Sequence, residues 1–239
     1  MKTPTLLALA TLFISHAQAQ APAEPAKAPE AAPAKRGLLK YSPPKSAATG
    51  TRIDGDGASR GSGAKLPSLY VLAPNHTALT TREQPSLFWY QTGAAKTHFE
   101  VTLTEPKNPK PLLKVGTDKS DQAGIHRLSL AKQNVTLKPG VAYKWTIAWV
   151  PDPANRSQDV VASGSIQRIE PDAKLAAAVA DAKGLDKAAA YAQSGIWYDA
   201  LEAVSNEIDA APKNKSLHAQ RAALLDQAGL KEAAAAEAR

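Results

Sequence analysis

Cysteine is absent from the 239-residue sequence. Disulfide bonds and lipid attachment at a cysteine are therefore excluded, and the fold must be held together by a packed core. After Ile14 no apolar run approaches the roughly 18 residues that span a bilayer, so we expect no transmembrane segment. Clusters of lysine and arginine interleaved with aromatic residues are also missing, which argues against a nucleic-acid-binding face.

Residues 1–19 have the three parts of a secretory signal peptide. Lys2 supplies a positive charge, Leu6–Ile14 is an apolar run, and Ala17–Ala19 forms a small-x-small cleavage site. We therefore expect cleavage near Ala19 and a periplasmic or secreted protein. The apolar run is too short to span a membrane, and a retained N-terminal anchor is the less favoured alternative.

The net charge of +7 comes mainly from the N-terminal quarter, because residues 20–68 hold eight Lys and Arg against four Asp and Glu. Within this stretch, Gln20–Arg36 is an Ala/Pro/Lys/Glu run of low complexity, and glycine recurs between Gly55 and Gly63. Such a composition has few large apolar side chains to offset the entropy cost of ordering. We predict a disordered, solvated spacer over residues 20–64.

Alternation of apolar and polar residues predicts β-strands over residues 65–170. Phe99–Thr104 and Val141–Trp149 place apolar side chains at every second position. Further candidate strands, separated by turn-forming residues, are 69–72, 87–91, 112–115, 125–130 and 160–169. Seven short strands at this spacing predict an antiparallel β-sandwich, and the chain as a whole is expected to be mainly β with an α-helical tail.

A local pattern near one of these strands sharpens the prediction. Leu137–Tyr143 reads Leu-Lys-Pro-Gly-Val-Ala-Tyr, which resembles the Leu-x-Pro-Gly-x-x-Tyr corner of immunoglobulin-like and fibronectin-like sandwiches. In that corner the tyrosine hydroxyl bonds back to the main chain of the preceding connection. We therefore expect an immunoglobulin/fibronectin-like sandwich.

Residues 171–239 change to a helical period and are rich in alanine. Asp172 can cap a first helix over 174–182, and further candidate helices are 185–194, 196–210, 216–228 and 231 onward. A shift of 34 positions superposes Gln193 on Gln227 and Gly195 on Gly229, and Pro212 stands where a tetratricopeptide repeat has its closing proline. The segment thus predicts tetratricopeptide-like helical hairpins. Fewer than two repeats are present, whereas about three are usually needed for independent stability, so the tail is expected to pack on the sandwich or on a partner.

Seven segments together carry a family resemblance: Arg52, Gly57–Gly61, Leu69–Pro74, Thr80–Thr81, Pro85–Tyr90, Gly140–Trp145 and Tyr191–Leu201. In combination they resemble the bacterial domain-of-unknown-function 928 family, over about Arg52–Gln227. The resemblance implies an exported sandwich with a helical tail and no established activity. Many relatives carry a cysteine shortly after the Ser-Arg-Gly triplet, where this chain has Ser62–Ala64.

Motifs that carry chemistry are weak. Gly57–Gly61 matches a Gly-x-Ser-x-Gly nucleophile elbow, but its flanks supply neither the strand nor the helix of that motif. Asp54–Gly57 faintly resembles a calcium loop, yet no acid follows until Glu83. The histidines His76, His98, His126 and His218 stand singly, unlike zinc ligands. We predict no catalytic, cofactor-binding or metal-binding residues.

Aromatic residues are the remaining candidates for a binding surface. Tyr90 and Trp149 lie in strand patterns, and Trp197 and Tyr198 stand at the packing position of the repeat. Core packing is the competing interpretation for each of them. The inner-groove positions of the tail are Ala182, Leu185, Ala189, Ala192, Ser216, Ala219, Ala223 and Asp226, and they lack the cations that some repeats use to hold a peptide carboxylate.

These observations favour a non-enzymatic envelope adaptor whose helical tail binds another envelope protein. The alternative is a sandwich that binds cell-wall or surface polysaccharide through exposed aromatic residues. A hydrolase is the third and least favoured candidate. The partner, the ligand, the pathway and the oligomeric state do not follow from the sequence.

Overall fold

A computed structural model describes residues 37–45, 52–55, 66–117 and 122–239. Residues 37–239 form one compact unit. The strands in the described ranges are β1 (Leu69–Val71), β2 (Ala78–Thr80), β3 (Ser86–Gln91), β4 (His98–Thr104), β5 (Leu113–Thr117), β6 (Gly124–Ser129), β7 (Ala142–Val150) and β8 (Val160–Arg168). The helices are α1 (Ala173–Ala180), α2 (Gly184–Gln193), α3 (Trp197–Ala210), α4 (Lys215–Gln227) and α5 (Lys231–Glu237).

The strands form two sheets, ordered β1-β3-β6 and β2-β8-β7-β4-β5. Seven of the eight strands were predicted from periodicity, whereas the three-residue strand β2 is too short to show an alternation. The prediction of a wholly antiparallel arrangement is wrong, because β2 pairs with β8 in parallel, with Ala78 opposite Ile166. The chain leaves the smaller sheet after β1 and enters the larger one at its edge, where β2 runs in the same direction as β8.

Large side chains from the two sheets meet in a shared core. The ring centroids of Trp89 on β3 and Phe99 on β4 lie 5.4 Å apart, and Phe99 meets Trp149 of β7 edge to face at 5.1 Å. Gly164 of β8 permits a close approach of the smaller sheet, since a β-carbon there would stand 3.2 Å from Val71 Cγ2. Burial of a large apolar side chain contributes about 1.5–3 kcal/mol, so these contacts help to hold the two sheets together.

The predicted tyrosine corner is present. The hydroxyl of Tyr143, on β7, accepts a hydrogen bond from the Lys138 N–H at 3.1 Å. Leu137, the first residue of the corner motif, is buried. The hydrogen bond fixes the connection before β7 to the strand that follows it.

The five helices follow the predicted positions to within two residues. Asp172 begins α1 by accepting a hydrogen bond from the Leu175 N–H, as its capping position predicts. Gly195 and Gly229, the pair related by the 34-residue shift, follow α2 and α4 with φ of 78° and 73°. This left-handed conformation closes a helix at little cost only in glycine, which explains the recurrence.

The helical tail packs on the strands and shares one hydrophobic core with them. Helix α3 lies against β2 and β3, and α5 lies against β6. The indole of Trp197, the first residue of α3, donates to the Leu72 carbonyl at 2.7 Å. The tail therefore packs on the sheets of its own chain.

The prediction of a disordered spacer is wrong for residues 37–45 and 52–55. Leu39 and Tyr41 are buried, at 4% and 8% exposure, and Gly55 pairs with Leu69 in an isolated β-bridge. Residues 37–45 differ from the Ala/Pro run before them because the burial of Leu39 and Tyr41 can offset the cost of ordering. Residues 52–55 are instead held by main-chain hydrogen bonds of Ile53 to Ser163 and of Gly55 to Leu69. Residues 1–19, which were predicted to be a signal peptide, and residues 20–36, 46–51 and 56–64 lie outside the described residues.

Among the described helices, none combines the length and the apolar composition that crossing a bilayer requires.

Candidate peptide groove of the helical tail

Three of the four aromatic residues predicted as a candidate binding surface are buried. Trp149, Trp197 and Tyr198 each have 0% exposure. Their polar atoms are used internally: the Trp149 indole donates to the Pro67 carbonyl at 2.9 Å, and the Tyr198 hydroxyl accepts from the Trp145 indole at 2.8 Å. The binding-surface prediction is therefore wrong for these three, which fill the core as the competing interpretation had it.

Tyr90 is the exception. It is half-buried on β3 and stands opposite Tyr70 of β1 in the strand register. The two rings stack with centroids 6.0 Å apart and planes inclined by 26°. They form a small aromatic patch on the smaller sheet.

A different site lies on the helical tail, where residues 37–45, here called the strap, run along α2 and α4 in extended form. Gln227 of α4 holds the strap with both atoms of its amide: Oε1 accepts from the Tyr41 N–H at 2.9 Å, and Nε2 donates to the Leu39 carbonyl at 2.8 Å. This pairing reproduces what a neighbouring β-strand would offer to the main chain of the strap.

Gln220 repeats the arrangement two turns earlier on α4. Its Oε1 accepts from the Leu39 N–H at 2.7 Å, and its Nε2 donates to the Gly37 carbonyl at 3.2 Å. From the other side, the Ala192 carbonyl at the end of α2 accepts from the Ser42 N–H at 3.0 Å. The strap is thus held between two helices by five hydrogen bonds to its own main chain.

The side chains of the strap alternate as in a strand. Leu39 and Tyr41 point into the protein, whereas Leu38 is 58% exposed and Lys40 is exposed. The Tyr41 ring meets Trp197 edge to face at 5.0 Å, and its hydroxyl forms a 3.2 Å hydrogen bond with His76 Nε2. Burial raises the pKa of Tyr41 above its ordinary value, so the hydroxyl stays neutral.

Gly195 gives the strap room at its far end. A β-carbon at this position would lie 2.9 Å from the Ser42 carbonyl oxygen and 3.0 Å from Pro44 Cγ. The strap groove is defined by Ala192, Gly195, Gln220 and Gln227, with Trp197 as its floor.

Sequence reasoning located this groove only in part. Ala192 was among the predicted inner-groove positions, but the glutamines that hold the strap were not. The 34-residue shift superposes Gln193 on Gln227, but this match indicates only a repeat and does not indicate that Gln227 binds the strap. Gln220 and Gln227 both hold the strap with neutral amide groups.

Arg52 ties the second N-terminal segment to the same tail. Its guanidinium donates to the carbonyls of Ala228 at 3.0 Å and Gly229 at 3.2 Å, just after α4, and to Ala73 at 3.2 Å. Arg52 also pairs with Asp54, Nε to Oδ1 at 3.1 Å. Asp54 of the calcium-loop pattern is thus engaged by a cation, while residues 56 and 57 of that pattern lie outside the described residues.

A buried carboxylate marks the joint between tail and sheets. Asp199, in the first turn of α3, accepts from the Thr81 N–H at 2.7 Å, and Arg82 Nε lies 3.2 Å from its Oδ1. Burial raises the pKa of Asp199 to about 6, against the opposing effects of the Thr81 hydrogen bond and the Arg82 charge. The joint therefore titrates in the mildly acidic range.

The four histidines considered above occupy separate places. His76 contacts the strap, and His98 begins β4 opposite Val150 of β7. His126 stacks on Trp89, and His218 pairs with Glu237. No three His, Asp or Glu side chains gather as metal ligands in the described ranges. The nucleophile-elbow pattern at 57–61 lies outside those ranges.

Residues 55–238 match the sequence model of a family described as Domain of Unknown Function (DUF928). No curated protein matches the chain. Since the match covers more than half of the sequence, the chain belongs to the DUF928 family.

Proposed function

We propose that this DUF928 member is an exported, non-enzymatic adaptor of the bacterial envelope, whose helical tail binds an extended segment of another envelope protein. The signal-peptide pattern of residues 1–19 supports export, and cleavage near Ala19 would place the protein in the periplasm or outside the cell. The description of the family supplies no activity.

The observation that carries the proposal is the strap groove. Gln220 and Gln227 offer paired donors and acceptors to an extended main chain, which is how proteins recognise peptides by strand-like addition. An uncovered apolar face on the tail does not support the proposal. Strands and strap cover that face, and the exposed large apolar residues of the described ranges are scattered: Leu38, Ile53, Leu112 and Val161.

The finer architecture belongs to the same proposal. We infer that the two sheets are an immunoglobulin/fibronectin-like sandwich, for which the Tyr143 corner is the strongest support. We infer likewise that α2 to α5 are two tetratricopeptide-like hairpins, supported by the equivalent glycines after α2 and α4. Repeats of this kind commonly present a concave surface to a partner.

Site-specific photo-crosslinking in cells tests the adaptor function. The full chain carries the crosslinker at Asp226, an exposed position beside Gln227, or at the distant exposed position Leu112 as a control. We expect one defined envelope protein to be captured from position 226 and not from 112, with capture lost in Gln220→Ala/Gln227→Ala. Identical captures from both positions, or capture that survives the glutamine substitutions, would contradict the proposal. Point variants are preferred to truncation because tail and sheets share one core.

A second candidate function is polysaccharide binding. The stacked, half-buried pair Tyr70 and Tyr90 favours it, because a flat aromatic patch can pack against a sugar ring. Pull-down with purified cell-wall and surface polysaccharides tests this with Tyr90→Ala in the full chain. Retention lost in Tyr90→Ala but kept in Gln227→Ala would select this function over the adaptor.

A further inference from the structure

We propose that the strap is a displaceable, self-supplied ligand of the groove, and that the partner segment shares its chemistry. That segment is an extended peptide of another protein with a leucine, a tyrosine two positions later and a proline three positions after the tyrosine, as in Leu39, Tyr41 and Pro44. The inference rests on the proposed function and adds the identity of the bound segment and its regulation. The unmodified protein is then a closed adaptor that competes with its own partner.

The first argument is that the groove recognises main chain. All five hydrogen bonds between groove and strap use N–H or C=O groups of residues 37–42. Any extended segment can form these bonds, so selectivity falls to the inward side chains. Of these, Leu39 and Tyr41 are buried, and the Tyr41 hydroxyl finds a partner in His76. A peptide that lacks the tyrosine loses both the ring contact with Trp197 and this hydrogen bond.

The second argument is that the strap can leave without disrupting the rest of the fold. Residues 37–45 belong to neither sheet and to no helix, so no strand pairing or helical hydrogen bond breaks when they detach. The next described residues, 52–55, have separate attachments: Arg52 to the carbonyls after α4, and Gly55 to β1. Opening of the strap therefore costs the burial of Leu39 and Tyr41 and the hydrogen bonds of the groove, but it breaks no pairing within the sheets or helices.

The third argument concerns competition. A tethered segment reaches its site at an effective concentration of about 1 mM, so an equivalent free peptide at about 10 µM is outcompeted roughly 100-fold. A partner gains access when the strap is weakened or when the partner segment is itself concentrated at the envelope. This competition gives the groove a closed and an open state.

The experiment uses a fluorescein-labelled synthetic peptide of residues 37–45 and the full chain. In Leu39→Ala/Tyr41→Ala, whose strap is weakened while the groove is intact, we expect the peptide to bind at least 10-fold more tightly than to the parent protein. Adding Gln220→Ala/Gln227→Ala should abolish this binding. Leu38→Ala, which alters the outward face of the same strap, serves as the matched control and should behave like the parent.

Hydrogen exchange on the parent protein keeps the inference testable if a variant fails to fold. The amides of Leu39, Tyr41 and Ser42 should exchange at least 10-fold faster than that of Trp145, which lies within β7. Equal rates would show that the strap opens only with global unfolding and would overturn the proposal. Failure of the peptide to bind a folded strap variant would also overturn it.

Two further results separate the possible sources of failure. Strap-to-groove crosslinks between two copies of the chain, with a concentration-dependent dimer, would replace the partner by a second copy and refute the commitment to another protein. Capture of a partner from position 226 without any peptide competition would leave the adaptor function standing and remove only the role of the strap.

Discussion

Truncation of Trp197 tests the idea that one ring joins the strap, the tail and the sheets. Its side chain is fully buried, its indole donates to the Leu72 carbonyl at 2.7 Å, and its ring meets Tyr41 at 5.0 Å. Replacement of a buried tryptophan by alanine costs about 3–5 kcal/mol in lost packing and residual cavity. Leaving the Leu72 carbonyl without this donor adds about 1–3 kcal/mol.

Trp197→Ala should therefore remove a large share of a stability that is typically about 5–15 kcal/mol for a domain. Urea unfolding followed by circular dichroism measures the loss. Because strands and helices share one core, we expect a single transition displaced to lower urea. Trp197→Phe keeps most of the ring but loses the donor, and should cost about 1–3 kcal/mol.

Trp149→Ala is the matched control. Trp149 is equally buried and also donates to a carbonyl, that of Pro67, but it lies within the sheets, where its ring packs against Phe99. Both alanine variants should lose similar stability, whereas only Trp197→Ala should accelerate amide exchange in residues 39–42. An unchanged urea midpoint for Trp197→Ala, or equal loosening of the strap in both variants, would refute the reasoning.

Three further predictions follow from single contacts. The raised pKa of Asp199 means that its contribution to stability is full below pH 4 and is lost as pH rises through about 6, by up to about 3 kcal/mol. Asp199→Asn should remove this part of the pH dependence of the urea midpoint. An unaltered pH dependence would contradict the assignment. Tyr143→Phe should cost about 0.5–1.5 kcal/mol in urea unfolding by deleting the corner hydrogen bond, and a neutral result would show that the corner contributes no stability. Gly195→Ala and Gly229→Ala both place alanine at positive φ, and each should lower the free energy of unfolding by about 1–2 kcal/mol. Only at Gly195 would the β-carbon meet the strap, at the Ser42 carbonyl oxygen. Hydrogen exchange in the strap should therefore rise in Gly195→Ala alone.

Local pattern accounts for much of the architecture. The period-two alternation in β7 located that strand to within one residue, because a strand with one buried face must repeat every two positions. The helices were predicted from their alanine-rich composition, and the start of α1 from Asp172, because a capping residue satisfies a requirement of the helix end itself. The corner at Tyr143 was also predicted, because its partner lies only five positions away.

The candidate site was beyond the reach of such reasoning. The hydrogen bond between Leu39 and Gln220 joins residues 181 positions apart, and nothing in either neighbourhood indicates the other. The short strand β2 and its parallel pairing with β8 depend in the same way on a partner far along the chain. Burial raises the pKa of Asp199, and Thr81, which donates a hydrogen bond to its carboxylate, lies 118 positions earlier in the chain.

The sequence by itself determined which segments become strands or helices, where the helices end, and which family the chain belongs to. These properties depend on neighbouring residues and on the order of the chain. Only the tertiary structure decided that Trp149, Trp197 and Tyr198 are core residues and that the groove of the tail holds a strap. The physical reason is that burial and hydrogen-bond partnership are properties of pairs brought together by folding, and a sequence pattern constrains only one member of each pair at a time.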